Sequence, residues 1–183
     1  MNDYRAELEF AKNLAIKAGE IITKNFLHST ITTKSNLTPV TETDLAVSKL
    51  VIEEVKNNFP NLEVFDEEFQ HEKHDAEYIW VCDPIDGTVP FSHHIPTSMF
   101  SLALCHKGEP VVAVIYDPFI KRLLYTKTAS PSYMNKKEIK VKSGKFIKGE
   151  YIFGIPYWNR NFDINKYLDL IFEKNIWVTY VES

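Results

Sequence analysis

In the segment Trp80-Val81-Cys82-Asp83-Pro84-Ile85-Asp86-Gly87-Thr88 an apolar run ends on a carboxylate, and a second carboxylate follows three residues later. Pro84 stiffens the exit between them, and Gly87 allows close approach of the backbone. Hard divalent cations such as Mg²⁺ take oxygen ligands of this kind and leave the rest of their shell to water and phosphate oxygens. If a short helix begins near Thr88, the N–H groups of Gly87 and Thr88 face the same point and could hold a phosphate. Pro90 suits the first turn of such a helix, where its missing N–H is no loss. The same spacing also suits two aspartates that merely cap a turn and a helix.

A second acidic cluster, Asp66-Glu67-Glu68, directly follows the apolar stretch Leu62–Phe65. Two neighbouring strands could then release carboxylates at one edge of a sheet, as a two-cation site requires; a solvated acidic loop is the alternative. The third element is Thr41-Glu42-Thr43-Asp44. It fits a capping box, with Thr41 as the N-cap and Asp44 at the third helical position. It also fits an Asp44 that faces the acidic site and orients a water or Thr88.

These side chains need a frame, and the periodicity supplies one. From Asp3 to Phe26 the residues Leu8, Ala11, Ala15, Ala18, Ile22 and Phe26 recur at three- and four-residue steps, the stripe of an amphipathic helix. A second helix opens at Thr41, draws its apolar residues from Leu45, Leu50, Ile52, Val55 and Phe59, and stops at Pro60. Strand patterns follow at Leu62–Phe65, Tyr78–Cys82, Ser98–Cys105, Val111–Tyr116 and Arg122–Lys127, with Lys107-Gly108 as a hairpin turn and Asp117-Pro118 as a break. The connections are too short for βαβ crossovers, which predicts an antiparallel sheet packed by the two N-terminal helices, an α+β domain over residues 1–148. Residues 149–183 read as the incomplete start of a second, α/β domain: a strand at Tyr151–Ile155, a helix at Asn161–Lys174 and a strand at Trp177–Val181.

The 183 residues are 44% hydrophobic and 25% charged, which excludes disordered, collagen-like and disulfide-stapled classes. No apolar run approaches the roughly 20 residues that span a bilayer, and the opening MNDYRAELEF lacks the pattern of a signal peptide, so a cytoplasmic protein is expected. Cys82 and Cys105 lie in apolar strand-like segments and read as buried thiols. Residues 1–120 carry 9 Lys/Arg against 19 Asp/Glu, net −10, whereas 121–150 carry 9 against 2, net +7. An acidic body with one basic stretch is not the footprint of a nucleic-acid binder. Lysines 136, 137, 140, 142, 145 and 148, interleaved with Ile139, Val141 and Ile147, read as an edge strand protected from pairing.

Taken together, Pro39-Val40-Thr41-Glu42-Thr43-Asp44, Asp66-Glu67-Glu68 and Asp83-Pro84-Ile85-Asp86-Gly87-Thr88 resemble the ordered motif set of the inositol monophosphatase family. Its members are Mg²⁺-dependent, lithium-sensitive phosphomonoesterases related to fructose-1,6-bisphosphatase. Gly108 to Pro118 also resembles the family's central hairpin. The resemblance implies that Glu67 is the first acidic metal ligand, that Asp83 bridges two metals, that Asp86 binds the second, and that the Ile85 carbonyl reaches the first. It implies that Thr88 and Asp44 position the attacking water and that Gly87 and Thr88 supply backbone donors to phosphate. Lys34 falls near a family lysine. His93 lies where many relatives have histidine, and reads equally as a solvated loop residue.

The implied activity is hydrolysis of a small phosphate monoester with two or three Mg²⁺ ions in the complete site, without nucleic acid or membrane, and in a homodimer as in many relatives. Departures are Asp66 where the family usually has Gly, Pro90 where it has Asn, and His94 where Gly is common. Relatives also carry a later Trp-Asp motif whose aspartate completes the second metal site, and here Trp80, Trp158 and Trp177 are followed by Val, Asn and Val. That absence keeps a second expectation open: a catalytically silent homologue that binds metal or a partner.

Overall fold

The computed structural model describes residues 3–28, 30–33, 39–69, 76–141, 152–156, 173 and 177–181. Lys34, lysines 142, 145 and 148, and the helix expected at 161–174, apart from the helical Glu173, lie outside the described residues. The chain divides into two compact units, Met1–Lys140 and Val141–Ser183.

The first unit begins with helix α1, Arg5–Asn25, whose stripe Leu8, Ala11, Leu14, Ala15, Ala18, Gly19 and Ile22 is buried. A Cβ at Gly19 would clash with the Tyr116 ring, so the glycine lets the helix lie close against that side chain. A short antiparallel pair, β1 (Ile31–Thr33) and β2 (Pro39–Thr41), leads into α2, Glu42–Asn58. The buried face of α2 differs from the expected one. It consists of Thr43, Asp44, Val47, Ser48, Val51 and Val55, while Leu45, Leu50 and Ile52 stay half-buried. Polar residues occupy the inner face because they have partners there, which apolar periodicity does not register.

Seven strands form the main sheet: β3 (Glu63–Asp66), β4 (Tyr78–Asp86), β5 (Met99–His106), β6 (Glu109–Asp117), β7 (Arg122–Lys127), β8 (Ser132–Met134) and β9 (Lys137–Ile139), in that spatial order. A one-turn helix α3, Thr88–Ser92, separates β4 from β5. The sheet is mixed, which corrects the expectation of a purely antiparallel one: β3 and β4 run parallel, and every other pair is antiparallel. The segment joining β3 to β4 is long enough to return the chain to the same end of the sheet. The lysine-bearing β9 forms the outer edge.

Side-chain alternation gives this sheet two unlike faces. Val64, Asp66, Trp80, Cys82, Phe100, Leu102, Leu104, Val112, Val114 and Tyr116 are buried and form one core with α1 and α2. Fully burying each large apolar residue contributes roughly 1.5–3 kcal/mol, and Trp80, packed against Phe10 and Phe59, is the largest of them. The alternate residues Phe65, Val81, Asp83 and Ala103 are half-buried. Cys82 is buried as expected, but Cys105 falls on the half-buried face, which corrects the reading of two buried thiols.

In the second unit β10 (Ile152–Pro156) and β11 (Trp177–Val181) pair in parallel, Ile152 opposite Trp177.

Candidate active site

The acidic residues meet because of strand register. Asp66 pairs with Cys82 across the parallel β3–β4 ladder, so the next residues, Glu67 and Asp83, emerge side by side on the face away from the helices. The turn is pinned there by Glu67 N–H donating to the Cys82 carbonyl at 3.2 Å.

Asp86 is three residues beyond Asp83 and would point to the opposite face of a regular strand. It does not, because the β4–β5 ladder carries a bulge: Asp83 faces Ser101 and Asp86 faces Met99, so β4 holds one extra residue. Pro84, with no N–H to give the ladder, sits in that irregularity. The burial pattern records the shift, with Trp80, Cys82 and Pro84 buried in alternation and Ile85 buried next, which returns Asp86 to the side of Asp83.

Beyond the bulge Gly87 takes φ +92, and its carbonyl accepts from Ser98 Oγ at 2.7 Å and from Phe91 N–H at 3.1 Å. Ile85 N–H donates to Asp83 Oδ1 at 3.1 Å. Helix α3 starts at Thr88, whose hydroxyl is 3.2 Å from both Asp44 Oδ1 and the Ile85 carbonyl. Its single proton serves one of them at a time.

Asp44 forms the expected capping box and also reaches Thr88. The capping box is formed, with Asp44 N–H donating to Thr41 Oγ1 and Asp44 Oδ2 accepting from the Thr41 N–H at 2.9 Å and from the Thr41 hydroxyl. The other carboxylate oxygen, Oδ1, is left for Thr88.

The electrostatics are those of a crowded acid cluster. Asp83 is pushed up to about 8, chiefly by burial, then by the negative charges of Glu67 and Asp86, a shared hydrogen bond with Glu67, and the charge of Asp44. Burial and Glu67 also raise Asp86, and burial raises Asp44 against the hydrogen bonds from Thr41 and Thr88. Glu67 therefore acts on both aspartates, and Asp44 on Asp83. The groups that act most strongly on Asp83 are other carboxylates, with no cation among them.

Among the described residues no three His, Cys, Asp or Glu side chains already converge as a cage around one point. The donor set is nonetheless all oxygen, mutually repulsive and open to solvent at Glu67, the chemistry that suits a hard divalent cation. His93 is an exposed loop residue whose Nδ1 lies 2.9 Å from the Val89 carbonyl and 3.2 Å from Ser92 Oγ, closing the end of α3. Sequence reasoning missed Ser48 and Ser98, two fully buried hydroxyls that brace the acidic turns. Ser48 was findable, because it lies one helical turn after Asp44 on the same face.

A family model described as the inositol monophosphatase family matches residues 3–175. The chain is 30% identical over 174 residues to a fructose-1,6-bisphosphatase/inositol-1-monophosphatase of Aquifex aeolicus, covering 93% of this chain and 66% of that protein. It is 37% identical over 142 residues to inositol monophosphatase 1 of Solanum lycopersicum, covering 74% of this chain and 52% of the relative. A solved IMPase of Thermotoga maritima shares the fold with a TM-score of 0.86 at 24% identity, covering 97% of this chain and 69% of that one. The chain thus spans between half and two thirds of the length of these two curated relatives.

Proposed function

The chain belongs to the inositol monophosphatase family, and from that membership together with the carboxylates gathered at the β4 bulge we propose that it hydrolyses a small phosphate monoester with Mg²⁺. The observation that carries this reading is the register that sets Glu67 beside Asp83 and the bulge that returns Asp86 to the same side, three acids from two parallel strands at one sheet edge.

Glu67, Asp83 and the Ile85 carbonyl would hold one ion, and Asp83 with Asp86 a second. When bound, Mg²⁺ neutralises phosphoryl oxygens and lowers the pKa of the attacking water. The chain's own residues do the rest. Thr88 Oγ accepts a hydrogen bond from the water and relays its own proton to Asp44 Oδ1, which the capping box holds in place. Backbone N–H groups of Gly87 and Thr88 orient the phosphate, and the φ +92 backbone at Gly87 lets its oxygens approach. Lithium inhibition and homodimer formation accompany this reading as family properties. Two free cysteines fit a reducing compartment such as the cytoplasm.

The test is phosphate release from inositol monophosphate and from fructose 1,6-bisphosphate, with and without Mg²⁺. Turnover that requires Mg²⁺, is suppressed by lithium and falls more than about a hundredfold in Asp83→Asn supports the proposal. Mg²⁺ binding without any release, in a folded chain, would favour instead a silent metal-binding homologue.

A further inference from the structure

Asp66 is fully buried at the end of β3, on the helix side of the sheet with Val64, Trp80 and Cys82. Burying a carboxylate among apolar neighbours is costly unless its oxygens are engaged. Its Oδ1 accepts from Ser48 Oγ of α2 at 2.8 Å and from the Glu68 N–H at 2.9 Å. Its Oδ2 has no N–H or O–H partner, and the Cys82 thiol is its neighbour across the strand pair.

The Phe69 N–H and the Cys82 thiol also bond this carboxylate, and the Ser48 and Glu68 donors to Oδ1 come from different elements. One belongs to the buried face of α2, the other to the turn that carries Glu67. Asp44 and Ser48, one helical turn apart, thereby tie a single helix to both acidic turns: Asp44 to Thr88, and Ser48 through Asp66 to the backbone N–H of Glu68, the residue after Glu67.

We propose that Asp66, braced by Ser48, is a positioning residue that holds the turn from which Glu67 faces Asp83, so that cation affinity depends on it. This rests on the reading of Glu67 as a cation ligand. A role in packing alone is disfavoured, because an apolar residue would fill a site beside Val64 and Trp80 without the cost of burying a carboxylate. The acceptor oxygen at Oδ1 is what the turn uses. An amide at this position keeps that oxygen and directs an N–H₂ toward the thiol side, where Oδ2 has no N–H or O–H partner.

The experiment is calorimetric titration of the full chain with Mg²⁺ alone, beside thermal melts in chelator, for the parent, Asp66→Ala, Asp66→Asn, Ser48→Ala and Glu67→Gln. The expected result is about tenfold weaker Mg²⁺ binding in Asp66→Ala, in the range for supporting groups around a metal, and less than about threefold in Asp66→Asn. Asp66→Asn, which keeps the acceptor oxygen, should melt no lower than the parent in chelator, whereas Asp66→Ala leaves the buried Ser48 hydroxyl without its acceptor and melts lower. The split in Mg²⁺ affinity between the folded Ala and Asn variants is the readout that packing alone would not move. Parent-like binding in Asp66→Ala, or equal weakening by Ala and Asn, overturns the inference. Should Asp66→Ala fail to fold, Ser48→Ala decides: weaker binding supports the inference and unchanged binding overturns it. If Glu67→Gln removes binding while Asp66→Ala leaves it intact, only this inference falls. If the parent binds no Mg²⁺, the reading of the whole site falls with it.

Discussion

Asp83 stands at the β4 bulge with Glu67, Asp86 and Asp44 all adding negative charge, and its carboxyl is pushed up to about 8. Each of those neighbours is useful to a cation and unfavourable to a bare fold, so chemistry and stability oppose one another at this side chain. Replacing the charge by an amide separates the two effects. Asp83→Asn should melt several degrees higher than the parent at pH 8 in chelator, at about 2–4 °C per kcal/mol for a chain of this length. It should at the same time lose Mg²⁺-dependent phosphate release. A melting temperature that drops in chelator would show that Asp83 is held by contacts other than those described. At Asp44 one carboxylate oxygen closes the capping box and the other receives Thr88, so one side chain ties the start of α2 to the start of α3.

At the scale of elements, the site depends on three backbone devices rather than on any one side chain. The parallel β3–β4 register sets Glu67 beside Asp83, the bulge at Pro84 returns Asp86 to the same face, and Gly87 turns the chain into α3. Gly87 has the more exposed consequence. At φ +92 a side chain is strained, and a Cβ would lie 3.4 Å from Ser98 Oγ, the group that holds the Gly87 carbonyl. Gly87→Ala is expected to cost about 1–2 kcal/mol in a urea melt and to raise KM for the phosphate ester more than it lowers kcat. An unchanged midpoint would mean that the turn relaxes to another conformation. The capping box gives a milder case: Thr41→Ala removes the N-cap of α2 and should cost about 1 kcal/mol by the same measurement.

For the molecule as a whole, the acid cluster predicts an inverted pH dependence of stability. The Asp83 carboxyl is pushed up to about 8 in the folded chain, against the ordinary aspartate value of 3.8 once unfolded. Between those values the native state binds the extra proton, so its contribution is fully present below about pH 4 and is lost as pH rises through about 8. The raised Asp44 and Asp86 act in the same direction. Urea midpoints measured in chelator should therefore rise from pH 8 toward pH 5. Added Mg²⁺, which binds the ionised carboxylates, should stabilise the chain more at pH 8 than at pH 5. A midpoint that falls steadily over the same interval in chelator would contradict the crowded geometry.

Much of this was legible in the residues alone. The amphipathic stripe of α1, the capping box at Thr41 and the succession of strands through Lys127 are local patterns, set by side-chain spacing within one turn or one strand. The acidic motifs were likewise visible as three short strings. What the strings could not supply was their meeting. A parallel pairing of β3 with β4, the extra residue at Pro84, and the polar inner face of α2 with Asp44 and Ser48 each depend on a partner distant in the chain. Sequence periodicity reports which side chains avoid water; it does not report which buried oxygen a distant hydroxyl will find. Tertiary structure decides that, because strand register and buried hydrogen bonds are satisfied only once both partners are in place.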